Sequence, residues 1–185
     1  MGFTKAQLEE FRGATVPDLI GDDCRLLFVG INPGLWTAAT QTHFCHPSNR
    51  FYPALRRAGL IDFDLDTDTG MTEAHRAAFT GSGMGISNLV QRATVRADEL
   101  SKSELIVGGK RLRDLVAIVR PAVVAVVGVT AFRTAFEAPK AALGLQELMD
   151  PASWWVLPNP SGLNAHVTID GLAGWFRQAA EAGGL

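Results

Sequence analysis

Three short stretches of the chain combine amide, imidazole, hydroxyl and guanidinium side chains with the Gly and Pro residues that shape loops. The first reads Gly30-Ile31-Asn32-Pro33-Gly34, the second Phe44-Cys45-His46-Pro47-Ser48-Asn49-Arg50-Phe51, and the third Pro158-Asn159-Pro160-Ser161-Gly162-Leu163-Asn164. An amide such as Asn32 can position water but is no strong base, and beside Pro33 it also suits an Asx turn. Ser161 and His166 in one loop invite a small-molecule hydrolase reading, but the chain has no GxSxG elbow and no evident third partner. Gly-rich loops at a helix amino terminus would suit a non-enzymatic nucleotide-binding α/β module; neither a Walker loop nor GxGxxG is present. Cys24 and Cys45 have neither CxxC spacing nor a Cys/His cluster. They are read as free thiols, and no metal and no cofactor are expected.

These stretches need elements to hold them. Leu26 to Val29, Ala122 to Val127 and Trp154 to Leu157 are short apolar runs, β-branched or aromatic, of the kind buried on both faces of a sheet. Each is followed by Gly or Pro. Helical patterns cover Lys5 to Arg12 behind a Thr4/Gln7 capping box, Asn49 to Ala58 stopped by Gly59, Glu73 to Phe79, Ser103 to Val119, Thr130 to Phe136 and Ile169 to Ala182. Gly81 to Gly85 reads as a connector, and Gly85 to Val95 as either a short strand or a loop. Strands alternating with helices predict an α/β fold, a three-layer αβα sandwich around a mostly parallel four- to five-stranded sheet. In such sheets ligands bind beyond the carboxyl ends of the strands. The loops Gly30 to Gly34, Gly128 to Thr130 and Pro158 to Asn164 then converge on one rim, where a binding site is expected.

At 185 residues with 47% hydrophobic and 19% charged side chains, the chain has ordinary globular composition, and a single domain over residues 1–185 is expected. Its longest apolar run, Ala122 to Val129, is far short of the roughly 20 residues a membrane span requires. The amino-terminal Lys5, Glu9, Glu10 and Arg12 do not fit a signal peptide, and Ala6 does not fit a myristoylation signal. A soluble protein is expected, with no membrane partner, cytoplasmic, nucleoid-associated in a bacterium, and monomeric by default. The net charge of −2 argues against coating DNA by bulk electrostatics. The charge is segregated, however: Asp62, Asp64, Asp66, Asp68 and Glu73 precede a group of Arg92, Arg96, Lys102, Lys110, Arg111 and Arg113, so a basic face is expected.

The motifs GINPG, HPSNRF and NPSGL, in this order and spacing, resemble the mismatch-specific uracil-DNA glycosylases, relatives of thymine-DNA glycosylase within the uracil-DNA glycosylase superfamily. The segment from Gly85 to Gly109, with Leu89-Val90 and Glu99-Leu100-Ser101-Lys102, is similar to that family's middle section, so the resemblance covers most of the chain. It implies the same αβα fold. The activity it implies is repair: uracil opposite guanine is flipped out of double-stranded DNA and its N-glycosidic bond hydrolysed, leaving an abasic site.

The resemblance also assigns roles. Asn32 matches the catalytic Asn that orients water toward the anomeric carbon, in a dissociative reaction whose departing base anion is stabilised by fixed donors. Gly30, Ile31, Pro33, Gly34, Phe44, His46, Asn88 and Ala93 are expected around the base pocket, with Phe44 stacking on the flipped base; ordinary core packing is the alternative for Phe44. His46 reads as pocket-lining or structural rather than as a proton donor. Gly34 stands where uracil-specific enzymes of the superfamily carry a bulky Tyr that excludes the thymine methyl, so thymine and enlarged cytosine adducts are expected to enter. Asn49, Arg50 and Arg92, with Gln91, are expected at the DNA backbone; the alternative for Asn49 and Arg50 is a helix cap and a surface cation. Ser161, Gly162, Leu163 and Asn164 form the expected wedge loop, Leu163 filling the space left by the extruded base and backbone groups reading the orphaned guanine. Relatives carry a more basic residue where Asn164-Ala165 stands, and often Pro where Ala93 stands. The carboxylate and His that uracil-specific enzymes use in the first and last loops are replaced by Asn32 and Leu163, so no carboxylate base is expected from those loops.

Overall fold

The computed structural model describes residues 2–147, 151–164 and 166–185; Ala165, singled out above beside Asn164, lies outside the described residues. Four strands run parallel: β1 (Leu26–Gly30), β2 (Met84–Asn88), β3 (Val123–Val127) and β5 (Ser153–Leu157). The two-residue strand β4 (Gly144–Leu145), which the sequence pattern does not foreshadow, closes one edge antiparallel to β5, giving the order β2-β1-β3-β5-β4. Helices cover both faces, so the expected αβα sandwich is what the chain forms.

The reason lies in the strand side chains, which alternate between two cores. Leu26 and Phe28 of β1 point into one with α3 (Phe51–Ala58), α4 (Glu73–Gly81) and α7 (Ile169–Ala182); Leu27 and Val29 point into the other with α5 (Lys102–Val119) and α6 (Val129–Ala135). β3 divides likewise, Ala125 and Val127 to the first side and Val124 and Val126 to the second. Both faces are covered, and a strand buried on both faces must be apolar throughout. In the first core Phe28 meets Phe51 and Phe176 edge-on, at centroid distances of 5.1 and 5.2 Å.

The ambiguous segment after Gly85 resolves into a strand and a loop. Met84–Asn88 pairs with β1, with Asn88 in register with Gly30. The chain beyond runs alongside the first Gly/Pro loop: Leu89 N donates to Gly30 O, Val90 N to Ile31 O and Thr94 N to Pro33 O. Helices α1 (Lys5–Glu9) and α3 are shorter than their sequence patterns, and α2 (Leu35–Thr40) adds a helix within the stretch after Gly34. The Thr4/Gln7 capping box is present, as is one at Ser101 and Glu104 that starts α5.

Glu104 also pairs with Arg92, Nε to Oε1 at 2.5 Å, tying the 89–95 segment to α5. The Arg92 guanidinium, then the Ser101 N–H and hydroxyl, hold the Glu104 carboxyl down at about 2. A carboxyl depressed by folding stabilises the fold above its unfolded value near 4.5 and loses that contribution as pH falls through the folded value. Glu104→Gln should therefore lower the melting temperature at neutral pH, and the gap to wild type should close as pH falls from about 4.5 toward 2. In the core, Phe28→Ala should cost about 3–5 kcal/mol by denaturant titration, because the fully buried ring loses its contacts and leaves a cavity among Phe51 and Phe176.

Candidate active site

At the carboxyl rim of the parallel strands lies a cavity of about 580 Å³. The first loop contributes Ile31, Asn32, Pro33 and Gly34; the second His43, Phe44, His46, Ser48 and Asn49; the last Asn159, Ser161, Leu163 and Asn164. Asn88 enters from the end of β2, and residues 94–98 form a further wall. Loops far apart in sequence meet here because β1, β2, β3 and β5 all point their carboxyl ends the same way.

Asn32 is held by the nitrogen end of its amide. Its Nδ2 donates to Thr94 Oγ1 at 2.8 Å, to Arg92 O at 3.0 Å and to Pro33 O at 3.1 Å. Three acceptors around one end of a carboxamide require the NH2 there, which fixes the otherwise ambiguous orientation. Thr94 Oγ1 donates in turn to Arg96 O at 2.8 Å, so its lone pairs are directed to Asn32. Among the described residues nothing donates to Asn32 Oδ1, and the half-buried side chain lines the cavity. The amide thus offers the cavity an acceptor.

The second loop turns on strained backbone. Phe44 adopts φ 57°, a left-handed conformation that costs a residue with a side chain on the order of 1–3 kcal/mol. The surroundings impose it: Tyr52 Oη donates to His43 O at 2.8 Å, and Arg76 Nη2 donates to Gln41 O at 2.6 Å. The Phe44 ring stacks on Phe51 with centroids 4.2 Å apart, so the cavity wall rests on the aromatic core. Gly30 sits behind it without entering the lining; a Cβ there would lie 2.4 Å from Asn88 Oδ1 and 3.1 Å from the Phe44 ring. Gly30 lets wall and floor meet. Gly34, by contrast, faces open space, with nothing within 4 Å of where a Cβ would stand.

His46 is at the rim, its Nδ1 accepting from Ser48 N at 3.2 Å and lying 2.9 Å from Ser48 Oγ. Burial pushes its pKa below the usual histidine value. On its far side, Phe44, His46 and Asn49 also border a second cavity of about 490 Å³, lined by Tyr52, Pro53, Phe63 and Leu65 and edged by Arg56 and Arg57.

Several expected residues have other places. Ala93 is a correction: it lines no described part of the cavity but is fully buried with Val16, Leu35 and Ala38. Its backbone exchanges hydrogen bonds with the 13–14 segment, which turns the side chain away, and Thr94 takes the wall instead. Arg50 does not project as a free surface cation. Its guanidinium donates to Val167 O, to Ser161 O at 2.8 Å and to Asn164 O, fastening the last loop to α3. Arg92 is likewise engaged by Glu104 and by Glu99 O, and its contribution to the site is its carbonyl. Asn49 Oδ1 accepts from Phe51 N at 2.9 Å, capping α3 from outside the helix.

The last loop is built to project one side chain. Gly162 lies so close to Ser48 that a Cβ would stand 2.6 Å from Ser48 Oγ and 2.7 Å from Ser48 O. Asn164 Nδ2 donates to Asn159 O at 3.0 Å, and Ser161 N to Asn159 Oδ1 at 2.9 Å. On this braced loop Leu163 is 91% exposed, the most exposed large apolar side chain described. Exposure of a lone Leu is ordinary. Exposure at the lip of a cavity, on a loop held by an internal arginine, is less so.

Sequence reasoning missed His43 and Thr94. His43 is 2% exposed yet lines the cavity, with Nε2 2.9 Å from Pro17 O and Nδ1 3.0 Å from Asn88 Nδ2. Its place directly before Phe44 was the available signal; for Thr94, adjacency to Ala93 was. Asp98 is the single carboxylate among the described lining residues. It comes from neither the first nor the last loop, is largely exposed, and pairs with Arg96 at 2.5 Å.

The cavity therefore holds a clamped amide offering its oxygen, a supported aromatic face and an apolar side chain at the lip. A family model described as the uracil DNA glycosylase superfamily matches residues 17–180, from before β1 into α7 and across every loop of the rim. The chain belongs to the uracil DNA glycosylase superfamily.

Proposed function

We propose that this DNA glycosylase acts on uracil opposite guanine in duplex DNA, in the manner of the mismatch-specific uracil-DNA and thymine-DNA glycosylases, and that it is monofunctional, releasing the base with water. The observation that carries the reading is the anchoring of Asn32 by its nitrogen, with Oδ1 left toward the cavity. An amide oxygen so held accepts a hydrogen bond from water and aims the water's lone pair at the anomeric carbon. It takes up no proton of its own. Bond cleavage must then run ahead of water attack, through an oxocarbenium-like sugar, and fixed dipoles carry the stabilisation.

A base inside a duplex cannot reach this cavity and must rotate out of the stack. Leu163 is suited to occupy the vacated space, and Phe44 to hold the face of the base. The backbone of the Ser161–Asn164 loop is suited to meet the orphaned guanine. Open space at Gly34 supports admission of thymine and of enlarged cytosine adducts.

The test is a duplex with one U:G pair, incubated with the protein and then treated with alkali to cut abasic sites; no strand scission would remove the proposal. Asn32→Ala should slow release on the order of 100-fold while leaving DNA binding intact, since it removes the acceptor that positions water, while the first loop keeps its backbone hydrogen bonds to residues 89–94; full activity in that variant would refute the assignment. Leu163→Ala should weaken release from duplex much more than from single-stranded substrate, where no stack needs filling. Strict rejection of T:G would refute the open-pocket argument from Gly34.

A further inference from the structure

The His43–Asn88 contact sets the polarity of a carboxamide in the cavity wall. His43 Nε2 lies 2.9 Å from Pro17 O, a group that can only accept, so Nε2 carries the proton. In the neutral ring Nδ1 is then a bare lone pair, and the atom of Asn88 3.0 Å from it must be a donor, Nδ2. Burial disfavours the charged ring and holds the His43 pKa below its usual value, outweighing the hydrogen bond to Pro17 O and the smaller influence of Asp18, which both favour the charged form, while Arg76 acts with burial. The rest of the Asn88 amide follows. Oδ1 lies over Gly30, beside the Phe44 ring, with no donor among the described residues. Asn88 is only 3% exposed and its backbone is locked in β2, so the amide cannot turn to solvent for a different partner.

We infer that His43 is a positioning residue for base selection: by engaging the Asn88 amide nitrogen it keeps Asn88 Oδ1 toward the cavity, favouring a base whose ring nitrogen carries a proton. The inference rests on the reading of this cavity as a base pocket. Uracil and thymine present a ring N–H next to a carbonyl, matching an amide oxygen flanked by its remaining N–H. Cytosine, in the same placement, presents a ring lone pair next to an amino group, matching the reverse amide. Rotating a free carboxamide by half a turn exchanges the two patterns. His43 prevents that rotation because an Oδ1 turned toward its bare Nδ1 would set two lone pairs against each other. Selection thus comes from a repulsive contact held in reserve as much as from an attractive one.

The experiment compares release of 5-fluorouracil and of 5-fluorocytosine opposite guanine, whose common substituent leaves the Watson–Crick edge as the difference. The intrinsic leaving abilities of the two bases cancel when the ratio of rates in a variant is divided by that in wild type. In His43→Phe the uracil-to-cytosine ratio should fall at least tenfold, a change that mere loosening of the loop, which slows both bases, would not produce. An unchanged ratio in the folded variant overturns the inference and leaves the glycosylase reading standing. Absence of 5-fluorouracil release by wild type overturns both. Hydrogen-bond polarity is read without any variant by 15N-resolved NMR of the wild-type histidines. A protonated Nε2 and bare Nδ1 on His43 support the inference, and a protonated Nδ1 overturns it.

Discussion

A parallel sheet buried on both faces leaves only its ends for polar chemistry, and everything notable about this molecule follows from that constraint. Along β1 every residue from Leu26 to Val29 is fully buried, and β3 is nearly as closed. The first position on β1 where a polar group can be accommodated is its carboxyl end, at Gly30. There the in-register partner on β2 is Asn88, and the missing side chain of Gly30 leaves room for the Asn88 amide and the Phe44 ring. The cavity begins where the sheet stops.

The loops beyond that edge are braced rather than loose. The segment after β2 forms three backbone hydrogen bonds to the first loop, and its side chains and carbonyls then hold Asn32. Phe44 leans on Phe51, which belongs to the same aromatic group as Phe28 and Phe176. Arg50 reaches three carbonyls of the chain from Ser161 to Val167. A water-positioning amide needs such support, since displacement by about 1 Å can cost on the order of 100-fold in rate.

Asn32 and Asn88 share one device. Each is gripped by its amide nitrogen and presents its oxygen, Asn32 because carbonyls and a hydroxyl surround Nδ2, Asn88 because a neutral histidine does. Carboxamides are symmetric in shape and opposite in polarity, so an unsupported one specifies nothing about water or base. The partners behind them supply the direction.

The sequence by itself determined the sandwich, the identity of the rim and most of the residues on it, because apolar runs buried on both sides and Gly/Pro-rich loops leave clear local signatures. The roles expected of Asn32, Phe44, Asn88 and Leu163 came instead from the resemblance carried by the order and spacing of the loop motifs; a turn residue and ordinary core packing were the local readings of Asn32 and Phe44. Tertiary structure alone decided the direction of side chains. A surface-looking Arg50 became an internal fastener because the last loop supplies acceptors from more than 100 positions along the chain. Ala93 turned into a separate cluster because the 13–14 segment pairs with its backbone, and Thr94 replaced it. His43 was hidden because its significance lies in Pro17 on one side and Asn88 on the other, contacts between segments with no shared pattern. Local propensity records whether a residue is buried or turned; only the folded chain brings up the partner that fixes its hydrogen bonds.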